Sequence, residues 1–242
     1  MIALLNRRYT ARVATSKDEV SWAQALRARC FGIECAYDVD QFDVLCTHIL
    51  IHSEVDNELV GCFRMMPLSG AEISNSYSAQ YYDLSALEKF SGRMVEMGRF
   101  CVDPAQNDPD ILRLALGAMT AYVDENAIDF MFGCSSFAGI ETEKYLDTFA
   151  MLTARHLAPK RWLPQIKAPC VFEYAAHLRC HPDLKKARLQ MPPLLRTYLT
   201  MGGWVSDHAV IDRQLNTLHV FTGVEIAAIP PVRKRLMRAV VG

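Results

Sequence analysis

The chain has 242 residues, 51% hydrophobic and 22% charged, with a net charge of −1. This is the composition of a folded protein with one large domain or two small ones, and it excludes a disordered chain. The near-zero charge argues against non-specific nucleic-acid binding as the main activity, and no apolar run approaches the ~18 residues of a membrane span.

The N-terminus, MIALLNRRYTAR, sets a very short apolar start before its arginines. That reverses signal-peptide order and predicts a cytoplasmic protein. Ser16-Lys17-Asp18-Glu19 reads as a capping box, opening a helix to about Cys30 with Val20, Ala23, Leu26 and Cys30 on its apolar stripe. Arg27 lies on the same stripe, where it either snorkels outward or points its fork into a cavity. Residues 32–43 form an acidic connection with Glu34, Asp38, Asp40 and Asp43. Strands predicted at 44–51 and 58–66 pair as an antiparallel hairpin, the first carrying His48 as a hydrogen-bonded core histidine and the second carrying Arg64. Residues 68–92 are irregular, rich in Ser and Tyr, and helical near 86–90.

A strand at 94–102 holds Glu96 and Arg99 three residues apart, although interior strands are ordinarily apolar. A helix at 110–126 follows, capped by Asn107 or Asp108 with Pro109 at its first position. A strand at 128–134, a helix near 142–157, a helix at 194–201 opened by Pro192-Pro193, and late strands at 204–213 and 217–226 complete the pattern. The expected architecture is one α/β domain (α+β in the looser sense) on a mixed, largely antiparallel sheet.

Eight cysteines (30, 35, 46, 62, 101, 134, 170, 180) include no CxxC pair, and most sit in apolar segments as small hydrophobes. Cys46 with His48, or His177 with Cys180 and His181, come nearest to metal ligands. Neither completes a set of four, so no metal is expected.

Arg27 before Phe31, Asp40-Gln-Phe-Asp43, Gly61-x-x-Arg64 and Glu96-x-x-Arg99, in this order, resemble the N-acyl-homoserine lactone (autoinducer) synthases, a branch of the GNAT acyltransferase fold. The full chain is more similar to a sister group, the ornithine lipid N-acyltransferases. That resemblance rests on Cys46-Thr47-His48, Glu96-Met-Gly-Arg99-Phe-Cys-Val102, Gly133-Cys134-Ser-Ser-Phe137, Pro192-Pro193, Tyr198, Gly202, Val210-Ile-Asp212-Arg213 and Asn216-Thr217. It spans about residues 8–225. Phe100 and His208 depart from the expected pattern.

The resemblance implies a GNAT-like fold and transfer of a 3-hydroxy fatty acyl group from acyl carrier protein to the α-amine of ornithine, giving lyso-ornithine lipid. The alternatives are glutamine or another amino acid as acceptor, an acyl-homoserine lactone synthase, and a non-catalytic acyl-chain-binding module.

Acylating an amine from a thioester needs a base, oxyanion stabilisation and positioned substrates. Glu96 is the expected base, paired or not with Arg99 as the second catalytic residue. Backbone around Phe100, Cys101 and Val102 is the expected oxyanion contact, freed by a bulge at Gly98. Arg64 and Arg99 suit a carboxylate, and Asp40 and Asp43 either hold an ammonium or order their loop through Arg27, with Phe31 beside them. CoA-using relatives carry a glycine-rich phosphate loop where this chain reads Gln106-Asn-Asp-Pro-Asp110. That favours a carrier-bound donor over CoA, with no separate cofactor. Basic clusters at Lys160-Arg161, Lys185-Lys186 with Arg188, and Arg233-Lys234-Arg235 are candidate docking points for the acidic carrier. The C-terminal segment 229–242 offers at most weak, reversible attachment at the inner face of the inner membrane.

Overall fold

The computed structural model describes residues 3–5, 8–179 and 181–238. Cys180 and the end of the basic C-terminal segment, Ala239-Val240-Val241, lie outside the described residues. In chain order the elements are β1 (Ala3–Leu5), β2 (Tyr9–Val13), α1 (Lys17–Phe31), β3 (Thr47–Ser53), β4 (Leu59–Leu68), β5 (Tyr82–Asp83), β6 (Met94–Val102), α2 (Pro109–Glu125), β7 (Phe130–Ala138) and α3 (Leu146–Arg155). They continue with β8 (Gln165–Ile166), β9 (Val171–Phe172), α4 (Tyr174–His177), α5 (Leu184–Gln190), α6 (Pro193–Thr200), β10 (Trp204–Val205), β11 (Ala209–Asp212), β12 (Thr217–Glu225) and α7 (Pro231–Arg238). Contacts group the chain into two compact units.

The first unit holds residues 1–67, 97–128 and 231–242. Its sheet is an antiparallel meander, β1-β2-β3-β4, with β6 beside β4. Helix α1 starts as the capping residues dictate: the Ser16 side chain accepts from the Glu19 amide, and Glu19 reaches back to the Thr15 amide at 2.6 Å. It stops at Gly32, whose φ of +66° supplies the left-handed C-cap. Ala23 and Leu26 pack with Leu50, Cys62 and Cys101 on one face of the sheet. Helix α2, capped by Asp108 with Pro109 in its first turn, covers the opposite face, where Ile111 approaches Gly61. Alternation along β4 puts Gly61 and Cys62 on different sides.

The second unit holds residues 68–96 and 129–230. The opening residues of β6 run parallel to β7, pairing Glu96 with Phe132. β7 pairs antiparallel with β12 from Thr217↔Ala138 to Glu225↔Phe130, and β11 and β9 extend the sheet. One face carries Phe137, Leu218 and Val220 into an apolar core with residues of α3, α5 and α6. The other carries Glu96, Cys134 and His219, all of which touch the segment 77–82.

The expected mixed, mostly antiparallel sheet with flanking helices is present. The differences are local. Asp43–Leu45 form a 3-10 turn instead of opening the strand, because the Asp43 side chain is drawn into the interactions described below. β7 continues through Ser135-Ser136-Phe137-Ala138, held by its long ladder with β12. The 204–213 strand is broken into β10 and β11, and residues 206–208 between them turn inward: Ser206 Oγ donates to the His208 carbonyl.

Candidate active site

In the first unit, three guanidiniums and three carboxylates meet in the interior. Arg27, 1% exposed, extends from α1 with its Nε 2.7 Å from Asp38 Oδ2 and its Nη1 2.8 Å from Asp43 Oδ1. Its Nη2 also donates to the Asp38 carbonyl. Arg64, on β4, makes a fork–fork pair with Asp40 at 2.6 and 2.7 Å and reaches Asp43 Oδ1 at 2.5 Å. Arg99, on β6, bonds Asp38 Oδ2 at 2.8 Å and approaches Asp40 Oδ2 at 3.3 Å. Asp38 thus bridges Arg27 and Arg99, while Asp43 bridges Arg27 and Arg64. The loop supplying the carboxylates is tied to α1, where the Asp38 amide donates to the Gln24 carbonyl and Gln24 Nε2 donates to Asp43.

Burial opposes the charge on Asp43, but the hydrogen bond and charge of Arg27, with Gln24 and Arg64, outweigh it and hold its carboxyl below the usual range. Asp40 is lowered in the same way, burial being overcome by Arg64 and then Arg99. Arg64 is itself raised, burial being outweighed by Asp40. His48 Nε2 donates to the Asp43 carbonyl at 2.9 Å as a core histidine, and burial lowers its pKa. Aromatic rings back the cluster: the Arg99 guanidinium carbon lies 5.9 Å from the Phe31 ring centre and that of Arg64 lies 5.8 Å from Phe42.

The break in β6 falls at Arg99, with φ of +54°, and not at Gly98. A left-handed non-glycine residue costs about 1–2 kcal/mol. Here the dense bonding of its guanidinium holds it in place, and the strand's alternation is interrupted between Glu96 and Arg99. Phe100 packs its ring against Phe63, and the Val102 carbonyl accepts from Cys30 Sγ. Cys101 Sγ lies 3.5 Å from Cys62 Sγ, and its thiol pKa is pushed well up, so this sulfur is not a nucleophile.

Glu96 belongs to the second unit and is 4% exposed. Its Oε2 accepts from the Tyr77 amide at 2.7 Å, and its Oε1 accepts from the Ser78 amide at 2.7 Å and the Ser78 hydroxyl at 2.5 Å. Ser78 Oγ also lies 3.4 Å from Cys134 Sγ. Along the same face, the Tyr82 hydroxyl donates to the His219 carbonyl at 2.8 Å and lies 3.1 Å from His219 Nδ1. Burial pulls the His219 pKa down to about 4.

The structure therefore joins Arg27, Phe31, Asp40, Asp43, Arg64 and Arg99 directly, and sets the Glu96 carboxylate on the Tyr77 and Ser78 amides and the Ser78 hydroxyl. Asp38, Gln24, Tyr77 and Ser78 were not singled out from the sequence as site residues. Asp38 left no signal that sets it apart from the other acids of its loop; that it is 6% exposed while its neighbour Val39 is 65% exposed is visible only in the structure. Ser78 left none, because it acts through a backbone amide as much as through its hydroxyl. Among the described residues no three His, Cys, Asp or Glu side chains converge as metal ligands, and no helix is long and apolar enough to cross a membrane.

Residues 25–116 match the acetyltransferase (GNAT) domain family, and these residues carry most of the ionic cluster and Glu96. The chain also superimposes on FeeM, an N-acyl amino acid synthase from uncultured soil microbes, with a TM-score of 0.53 over 92% of this chain and 94% of that one, at 12% identity. The fold is that of a GNAT acyltransferase. Sequence similarity narrows the class: the chain is 30% identical over 239 residues to the L-ornithine N(alpha)-acyltransferase of Brucella abortus, covering 90% of this chain and 84% of that protein. The Rhizobium meliloti protein of the same name is 29% identical over 240 residues, covering 90% and 80%. The chain belongs to the family of the L-ornithine N(alpha)-acyltransferases.

Proposed function

We propose that the protein transfers a 3-hydroxy fatty acyl group from acyl carrier protein to the α-amino group of L-ornithine, giving lyso-ornithine lipid. The observation that supports the acceptor and the bond formed is similarity running through nine-tenths of the chain to relatives named L-ornithine N(alpha)-acyltransferase. The reaction forms a C–N bond, breaks the thioester C–S bond, moves the amine proton to a base and releases the thiol.

Glu96 is the base. Its carboxylate accepts from two amides and a hydroxyl, which favour the ionised form that a base needs. The amide groups of Phe100, Cys101 and Val102, after the irregular Arg99, supply the oxyanion contact. Arg64 and Arg99 position the acceptor through its carboxylate, and Asp40, with 19% of its side chain exposed, is the most accessible of the three carboxylates for an ammonium. Arg27 and Asp43 hold the loop that presents it. A carrier-bound donor is supported by the start of α2, where Asp108 caps the Asp110 amide and both acids pair with Arg8. The Asp110 amide at that helix end is already taken by the Asp108 side chain and is not free for a diphosphate. The reaction then takes place in the cytoplasm, with only weak peripheral contact with the inner membrane.

Purified protein incubated with 3-hydroxyacyl carrier protein and single amino acids, with products identified by mass, tests the reading. Acylated ornithine is expected. Preference for glutamine would change the acceptor, and failure to acylate any amino acid would overturn the proposal.

A further inference from the structure

We infer that α7 is a docking helix whose outward face binds the surface of an anionic lipid bilayer. The helix, Pro231–Arg238, carries Arg233, Lys234, Arg235 and Arg238 and no acidic residue. Its inward side is fixed by α2. Arg238 makes two 2.8 Å bonds to the Asp124 carboxylate, and Lys234 adds its charge to the same group. At 3.6 residues per turn, Lys234, Met237 and Arg238 share one arc, and Lys234 and Met237 are half-buried there.

The opposite arc presents Val232 and Leu236, one turn apart and 65% and 57% exposed. The same geometry sets Arg233 on one side of this apolar ridge and Arg235 on the other. Neither arginine makes an ion pair among the described residues. The other basic clusters differ, since Arg161 pairs with Glu225 and Lys186 with Asp147.

A single exposed Leu or Val needs no explanation. A ridge of two between these arginines, on a helix whose other side meets α2 through an exposed ion pair, has the arrangement of an interfacial helix. Its apolar residues enter the headgroup–acyl boundary and its guanidiniums meet lipid phosphates. The chain's net charge is −1, so the attraction is a property of this face and not of the whole protein. An anionic bilayer complements both features of the face, whereas a zwitterionic one lacks the net charge. The inference does not rest on the acyltransfer reading, although an amphiphilic product would be released where it partitions.

The test is sedimentation of the full chain with phosphatidylcholine vesicles, with and without one-third phosphatidylglycerol, at low and high salt. Binding to the anionic vesicles alone, weakened by salt, is expected. The double substitutions Arg233→Gln with Arg235→Gln, and Val232→Ser with Leu236→Ser, should each lower the partition coefficient roughly tenfold or more. Both leave Lys234 and Arg238 on Asp124, and circular dichroism checks the fold. No binding, equal binding to both vesicle types, or unchanged binding by both doubles overturns the proposal. So does an arginine double that binds vesicles normally but turns over a carrier-bound donor more slowly than a free thioester, which would assign the face to an acidic protein.

Discussion

In the first unit, Asp38, Asp40 and Asp43 face three guanidiniums. In the second, Glu96 faces two backbone amides and a serine hydroxyl. Both arrangements satisfy buried carboxylates, but they leave different chemistry behind. A carboxylate bridged by arginines has its charge cancelled at short range and is a poor base. A carboxylate held by amides and a hydroxyl meets dipoles instead of formal charges, and these donors favour its ionised form, the form in which it can take a proton. The cluster is therefore suited to shaping a loop and gripping a zwitterion, while Glu96 is suited to the proton transfer.

The comparison is broken most directly at Glu96. Glu96→Gln keeps an oxygen for one amide, sets an NH2 against the other and cannot accept the amine's proton, so kcat should fall about 10²–10⁴-fold. The mismatched amide should cost about 1–3 kcal/mol in urea titration, with the fold retained by circular dichroism. Near-normal turnover by a folded variant would remove Glu96 from the reaction. In the first unit the balance of effects reverses. Arg27→Met strips Asp38 and Asp43 of a shared partner in the interior, and stability should drop by about 3–5 kcal/mol in urea unfolding. A loss under ~1 kcal/mol would mean that the loop's carboxylates relax into water.

Acid separates the buried histidines from the arginine-held aspartates. His48 and His219 have lowered pKa values, so below about pH 6.5 the unfolded chain takes up protons that the folded chain refuses. Stability should fall as pH drops from 6.5 towards 4, with His219 accounting for on the order of 3 kcal/mol. His219→Phe should flatten that slope. Asp40 and Asp43 are depressed, so their contribution is whole above about pH 4 and is lost only as pH falls further. A urea midpoint that stays constant from pH 7 to 4 would contradict the histidine assignment.

What could be read from the sequence follows the same division. Charges out of place in periodic segments are visible, because the period says what should stand there. That is how Arg27 on a helix stripe and Arg64, Glu96 and Arg99 inside strands were found. Helix boundaries with side-chain caps, at Ser16 and Asp108, were legible for the same reason. Backbone solutions were not. The Glu96 carboxylate is held by amides that every residue possesses, and the left-handed turn at Arg99 depends on contacts with Asp38 and Asp40, far away in the chain. A bulge at Gly98 was the reasonable expectation from glycine's freedom, yet the strain falls on the arginine because its fork is what the aspartates fix.

The smallest expected effect is at Ser78, and it sharpens the distinction most finely. Its hydroxyl is one of three donors to Glu96, and hydrogen bonds to a carboxylate favour the charged form. Ser78→Ala leaves both amide bonds in place, so the seat survives and Glu96 still acts as base. Losing one donor moves the acidic limb of the kcat/KM profile upward, and the rate at neutral pH falls by less than about tenfold. A guanidinium-held carboxylate would respond differently, since removing a charge partner there destabilises the fold before it alters any profile. If Ser78→Ala lowers stability by several kcal/mol and leaves the acidic limb where it was, the hydroxyl braces segment 77–82 and does not tune the base.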